Sequence, residues 1–197
     1  MLGFKTEGII LKRRDLGEAD RILTVFSLHR GKITVLAKGV RRITSRRSGN
    51  VELLNRVQMY LHPGRNFLIL TEATALDTFA KLKEDLTLST YAFHILELTD
   101  KLTAENQENR DLYEHLVQVL KRLARNPRQI LVRAYEAKIL SNLGFSNFEL
   151  AHLGWDEIEK IEIQEKQALE LEQTLRYTIE KVLENTLKSR KFLKWIK

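Results

Sequence analysis

The side chains best placed to do chemistry in this sequence are cations. The stretch "AKGVRRITSRRSGN" (Ala37–Asn50) carries Lys38, Arg41, Arg42, Arg46 and Arg47 and no acid. Guanidinium forks grip phosphate in two-pronged fashion. The hydroxyls and bare amides of Thr44, Ser45, Ser48 and Gly49 can add short hydrogen bonds to the same oxygens. The acid-free window extends from Asp20 to Glu52, and Arg21, Arg30 and Lys32 also fall inside it. Such a field attracts a polyanion and calls for no bond making.

Signals for other chemistry are few. His29, His62, His94, His115 and His152 are scattered, with no helical spacing between any two. There is no H-E-x-x-H, no G-x-G-x-x-G and no Walker phosphate loop. The chain has no cysteine, which excludes disulfides, thiol nucleophiles and thiolate zinc sites. Asp15, Glu18 and Asp20 cluster ahead of a strand, where a metal site is conceivable. Beside Arg13, Arg14 and Arg21 they read more simply as a turn neutralised by its neighbours. The expectation is a binding protein, not an enzyme, with no cofactor.

The formal net charge of the 197-residue chain is +7, and its placement is lopsided. Residues 1–80 hold 14 Lys and Arg against 7 Asp and Glu, whereas residues 81–197 hold 19 against 19. Apolar runs such as Phe67–Leu70 are too short to span a bilayer. The start "MLGFKTEG" lacks the charged-then-apolar layout of an export signal. A cytoplasmic protein without a membrane partner is therefore expected.

The elements that must position the cations change texture near residue 80. Seven of the nine glycines lie in the first 64 residues, among short strand-like runs. Glu7–Arg13 and Arg21–Ser27 read as strands, and "HRG" turns into Lys32–Lys38, where Ile33, Val35 and Ala37 alternate with other residues. Val51–Leu61 and Asn66–Ala73 follow, joined by the Pro-Gly turn "HPGR". Five short strands with one long polar loop between the third and fourth predict a five-stranded OB-fold barrel over residues 1–80. Few residues of that loop could build a core, so it is expected to stay mobile until an anion orders it. From Lys81 the period becomes helical. One stripe holds Leu88, Ala92, Ile95, Leu98 and Leu102; a second holds Tyr113, Leu116, Val117, Leu120 and Leu123. A third helix starts at Pro127, carries Ile130, Leu131, Ala134, Tyr135 and Ile139, and ends at Gly144. A last one opens around Asp156 and repeats Ala168, Leu171, Leu175, Ile179 and Val182. The fold class is thus α+β, an OB-fold domain (1–80) followed by an all-helical domain (81–197).

Aromatics near the cations are sparse. Phe26 and Phe67 read as barrel core, and Tyr60, beside His62, is the better stacking candidate. Cations without many rings grip the backbone and not base identity. If about five phosphates are neutralised, binding to single strands should follow a log–log salt slope of about −3.5.

The order of residues resembles a known family. "EGIILKRRDLGEADRILTVFSLHRGKITVLAKGVRRITSR" is similar to the N-terminal half of the bacterial RecO family, through Gly8-Ile9-Ile10-Leu11, then Gly17, Glu18 and Asp20, then Gly31, Ala37 through Arg41, and Ser45. Weaker similarity continues at His94–Leu102, Ala134–Phe145 and the ending "SRKFLKWI". The resemblance implies an N-terminal OB-fold and a helical domain. It also implies binding to single- and double-stranded DNA and annealing of complementary strands. With RecR, such proteins help load RecA onto strands coated by single-stranded-DNA-binding protein. Many family members carry a four-cysteine zinc ribbon after the Leu-Gly-Phe segment; this sequence has no cysteine there, so zinc is not expected. Lys38, Arg41, Arg42, Arg46 and Arg47 are the expected principal DNA contacts, with Arg13, Arg14 and Arg65 secondary. The ending "KSRKFLKWIK" (Lys188–Lys197) could pack on the core, meet anionic membrane, add a DNA contact or receive the acidic tail of the single-strand-binding protein. An RNA-binding OB module and a structural adaptor recruiting repair proteins are the rival readings.

Overall fold

Strands β1 (Phe4–Leu16), β2 (Asp20–Ser27), β3 (Gly31–Ala37), β4 (Arg56–Pro63) and β5 (Leu68–Asp77) close a barrel in the order β1-β2-β3-β5-β4. The computed structural model describes residues 2–183; the basic tail Lys188–Lys197 lies outside them. All pairings are antiparallel except β3 with β5, which run parallel through Val35–Leu68 and Leu36–Ile69. This is the five-stranded, OB-like barrel that the strand count and the long third connection predict.

Closure depends on β1 serving two partners. It pairs with β4 through Phe4–Ile9 and with β2 from Gly8 onward. Gly8 lies in the overlap, opposite both Ser27 and Val57. A Cβ at this position would press on the Val25 side chain and on the Phe26 carbonyl oxygen 2.9 Å away, so only glycine lets the backbones approach. The alternation read in β3 holds: Ile33, Val35 and Ala37 point inward and are buried. They meet Ile10, Leu23, Val25, Val57, Met59, Leu61 and Leu70 in one continuous core.

The described residues divide into two compact units, 2–79 with 103–113, and 80–102 with 114–183. The segment 103–113, a connection between two helices together with the first turn of the second, packs in the first unit. The Asn106 N–H donates to the Lys32 carbonyl at 2.8 Å, and Glu105 bridges Lys32 in parallel register. Gly31 sits beside this segment at φ 60°, and any Cβ there would strike the Gln107 carbonyl. Phe26, on the outer side of β2, is fully buried and packs 6.3 Å from the Tyr113 ring.

The second unit contains α1 (Ala80–Glu84), α2 (Leu86–Leu102), most of α3 (Arg110–Arg125), α4 (Gln129–Asn142), α5 (Glu149–His152), α6 (Trp155–Ile158) and α7 (Glu165–Leu183). Helix α4 is buried on every side from Ile130 to Leu140. A single apolar stripe therefore understates its position: it is the central helix, and its polar side chains need buried partners. Glu136 accepts two hydrogen bonds from Arg133 Nη1 (2.8 and 2.7 Å) and lies 2.6 Å from His94 Nε2. Lys138 donates to the carbonyls of Ala151 and Leu153, both at 2.7 Å.

Several element boundaries shift from expectation, two of them by five residues or more. The last long helix starts at Glu165, and Asp156 belongs to the one-turn α6. Arg122 and Arg125 hold Asp156 and Glu159 there, and Arg128 bonds the Glu159 and Ile161 carbonyls, which stops the chain from propagating the helix. Strand β4 begins at Arg56, five residues later than its apolar pattern implies. Val51 ends a 3-10 turn (Gly49–Val51), and Leu54 adopts φ 72° while fully buried.

Candidate nucleic-acid interface

The β3–β4 loop, residues 38–55, is fixed by its own side chains. The sequence offers few core-forming residues in this loop, and two of them are in the barrel core. Val40 and Val51 enter the barrel core, anchoring both halves of the loop by burial of apolar surface. Backbone bonds secure its start, with the Arg41 N–H on the Ala19 carbonyl (2.9 Å) and the Gly39 N–H on Asp20 Oδ1 (2.7 Å). At its far end Asn50 Oδ1 accepts from the Ala75 N–H at 3.1 Å. The buried Asn55 donates its amide to the Gly49 and Asn50 carbonyls at 3.0 and 2.9 Å.

The cations on this frame separate into three groups. Arg47 faces protein: its guanidinium donates to the carbonyls of Leu70 (2.7 Å), Thr71 (3.3 Å) and Lys38 (2.9 Å). Arg41 and Arg13 lie in an ionic network on the β1–β2 hairpin. Arg41 Nε sits 3.3 Å from Asp15 Oδ2 and its Nη1 donates to the Gly17 carbonyl. Arg13 pairs with Glu52, and Arg21 joins Asp15 and Glu52 at 3.0 Å each. Burial, and then the like charge of Arg21, lower the Arg13 guanidinium below its ordinary value.

The third group makes no ion pair with any described residue. Lys38, Arg42 and Arg46 belong to it. These three line one open cleft of about 610 Å³ with Gly39, Thr44, Ser45, Arg47 and Asp20. Asp20 is the cleft's acid, and one of its oxygens is occupied by the Gly39 amide. The lining therefore combines long cations with the hydroxyl residues Thr44 and Ser45, a donor set suited to phosphate oxygens.

The remaining site residues of the sequence reading are elsewhere. Arg14 is exposed on β1 opposite Ile22. Arg65 lines a second cleft, about 280 Å³, with Thr34, Pro63, Gly64, Asn66 and Phe67. No residue is shared between the two clefts. Phe67 is half-buried ahead of β5 and outside the barrel core, because it belongs to the turn and not the strand. Tyr60 stacks edge-on with His62 at 5.1 Å on β4 and does not line the cationic cleft.

The acids Asp15 and Asp20 engage Arg21, Arg41 and the Gly39 amide, as in a neutralised turn. Among the described residues no group of three or more His, Asp or Glu is arranged to hold a metal ion. The connection between α4 and α7 does not fit a zinc ribbon: it has no thiolates, and Lys138 with Arg122, Arg125 and Arg128 organises it instead. No helix among the described residues is long and apolar enough to cross a membrane.

Sequence comparison agrees with this architecture. Residues 1–79 match the model for the N-terminal part of recombination protein O, and residues 83–146 match the model for its C-terminal part. The DNA repair protein RecO of Pelotomaculum thermopropionicum is 37% identical over 142 residues, covering 72% of this chain and 56% of that protein. That of Roseiflexus sp. is 37% identical over 143 residues, covering 72% and 50%. That of Desulforudis audaxviator is 38% identical over 145 residues, covering 74% and 58%. The chain thus spans about half the length of the curated relatives it matches.

Proposed function

Because the chain belongs to the RecO family, we propose that its barrel binds single- and double-stranded DNA without sequence preference and anneals complementary strands. The observation that carries this reading is the cleft lined by Lys38, Arg42 and Arg46, three cations without ion-pair partners among the described residues. Two strands repel through their phosphates, and a cationic surface that holds both lowers the barrier to pairing without bond chemistry. Grip on phosphate leaves base edges free to pair. On the same reading, and in keeping with the family, the protein works with RecR to help load RecA-type recombinase onto strands coated by single-stranded-DNA-binding protein. It acts in the cytoplasm, not as an enzyme, and without a cofactor.

The division of the cations refines the expected salt dependence. Three phosphates held by Lys38, Arg42 and Arg46 give a slope of about −2 on single strands. Release of Arg13 and Arg41 from their carboxylates on binding would bring it to about −3.5. The test is annealing of two complementary oligonucleotides without nucleotide triphosphate, followed by fluorescence. Wild type should accelerate pairing, and the effect should vanish at high salt. The triple variant Lys38→Glu, Arg42→Glu, Arg46→Glu should lose it while far-ultraviolet circular dichroism is unchanged. Annealing at the wild-type rate by that folded variant would remove the cleft from the function. Stronger binding to an RNA strand than to the matched DNA strand would redirect the reading to RNA.

A further inference from the structure

The cationic loop presents an isoleucine to solvent. Ile43 is 104% exposed, more than any other large apolar side chain among the described residues. The Ser45 N–H donates to the Arg42 carbonyl at 2.9 Å, so Ile43 and Thr44 occupy the two corners of a tight turn. Turn corners ordinarily take Pro, Gly, Asn, Asp or Ser. The loop's own packing does not need an apolar group here, since Val40 and Val51 supply its share of the core.

Ile43 is also firmly supported. Arg47 ties the loop to the Leu70 and Lys38 carbonyls, and the Arg41 N–H ties it to Ala19. A β-branched side chain on such a frame has restricted χ1 freedom, so little entropy is lost when it is gripped. An isolated exposed apolar residue needs no explanation by itself; the flanking charges give this one a specific partner. Arg42 precedes it and Arg46 follows, both on the cleft and both without ion pairs among the described residues. A matching partner must alternate negative charge with flat apolar surface over a few ångströms. A nucleic-acid strand with bases turned out of their stack has that pattern, and apolar wedges are known to enter between base steps.

We infer that Ile43 is a wedge that enters between successive bases while Lys38, Arg42 and Arg46 hold the flanking phosphates. The inference rests on the DNA-binding reading and adds a preference: the loop selects unstacked strand or opens the end of a duplex. Bases held apart in this way are presented singly to a complementary strand.

The experiment uses the full chain and oligonucleotides carrying 2-aminopurine, whose fluorescence rises when it unstacks. Wild type should raise the signal. Ile43→Ala should lose most of that rise and bind roughly five- to tenfold more weakly, with an unchanged salt slope because no phosphate contact is removed. Ile43→Met should recover most of both. Wild-type fluorescence and affinity in Ile43→Ala would overturn the inference. So would a variant with unchanged DNA behaviour that loses binding to phosphatidylcholine vesicles containing phosphatidylserine, which would assign Ile43 to a lipid surface. A wild-type protein that binds with a negative salt slope but leaves 2-aminopurine dark sinks the wedge alone. One that binds no oligonucleotide at low salt sinks the DNA-binding reading beneath it.

Discussion

The Arg47 guanidinium donates to the Leu70 carbonyl at 2.7 Å, and through this bond the loop after β3 is fastened to β5. Arg46, its neighbour in sequence, faces the open cleft. Adjacent arginines of the same composition thus have different work, one holding the loop and one available to a ligand.

Substitution should separate the two. Arg47→Ala removes a charged donor from three carbonyls and should lower stability by about 1–2 kcal/mol in urea unfolding. Arg46→Ala should leave the unfolding midpoint unchanged and weaken oligonucleotide binding several-fold. Equal stability in the two variants would contradict the assignment.

The ionic network on the hairpin should restrain binding. Asp15 and Glu52 hold Arg41, Arg21 and Arg13, so a phosphate must compete with them. The double variant Asp15→Asn, Glu52→Gln should bind single strands more tightly and steepen the log–log salt slope by up to about 1.4, or 0.7 for each cation released. Titrations at several salt concentrations measure both quantities. A slope that stays at about −2 in both proteins would mean that Arg13 and Arg41 never reach the ligand, and one of about −3.5 in both would mean that wild type already releases them.

Within the helical unit, Glu136 should make folding acid-sensitive. Burial, the largest influence, would by itself raise its carboxyl; the charge of Arg133 and the contacts with His94 and Arg133 together outweigh it, and the net effect lowers it. Glu172 also faces Arg133 at 3.3 Å and pairs with Arg176. A folded-state value below the unfolded one means that the stabilisation is complete above the unfolded carboxylate value, about 4.3. It is lost as pH falls through the folded value. Glu136→Gln should cost about 3–5 kcal/mol near pH 7 by leaving Arg133 buried with less compensation, and its stability should fall less steeply below pH 4. Urea unfolding from pH 7 to pH 3 checks both.

Gly31 should tolerate no side chain. Its φ of 60° and the Gln107 carbonyl beside it oppose a Cβ on two separate grounds. Gly31→Ala should cost about 1–3 kcal/mol for the backbone conformation alone, with further loss if the 103–113 segment is displaced. Hydrogen exchange of the Asn106 amide, which bonds the Lys32 carbonyl, would report that displacement. A wild-type melting temperature would show that the segment yields freely.

Much of the barrel was readable because strand signals are local. Ile33, Val35 and Ala37 alternate in the sequence and alternate in the barrel, and "HPGR" turns where its proline and glycine require. The site was readable only as composition. Charge counts identify Lys38, Arg41, Arg42, Arg46 and Arg47 as a group, yet partners decide which of them is spent. Those partners, Asp15 for Arg41 and the Leu70 carbonyl for Arg47, lie 26 and 23 residues away. Val40 looks like an isolated apolar residue in a polar loop, and Val51 like the start of a strand, until the barrel core they enter exists.

By itself the sequence determined what depends on neighbours along the chain: the strand and helix periods, the lopsided positive charge, the absence of thiolate chemistry and the family motif from Gly8 to Arg41. Tertiary structure alone decided which cations remain available, that the loop is anchored at Val40 and Val51, that residues 103–113 join the first unit, and that Ile43 is left exposed. The physical reason is that ion pairing, burial and exposure are properties of surfaces brought together by folding, and their partners are remote in sequence.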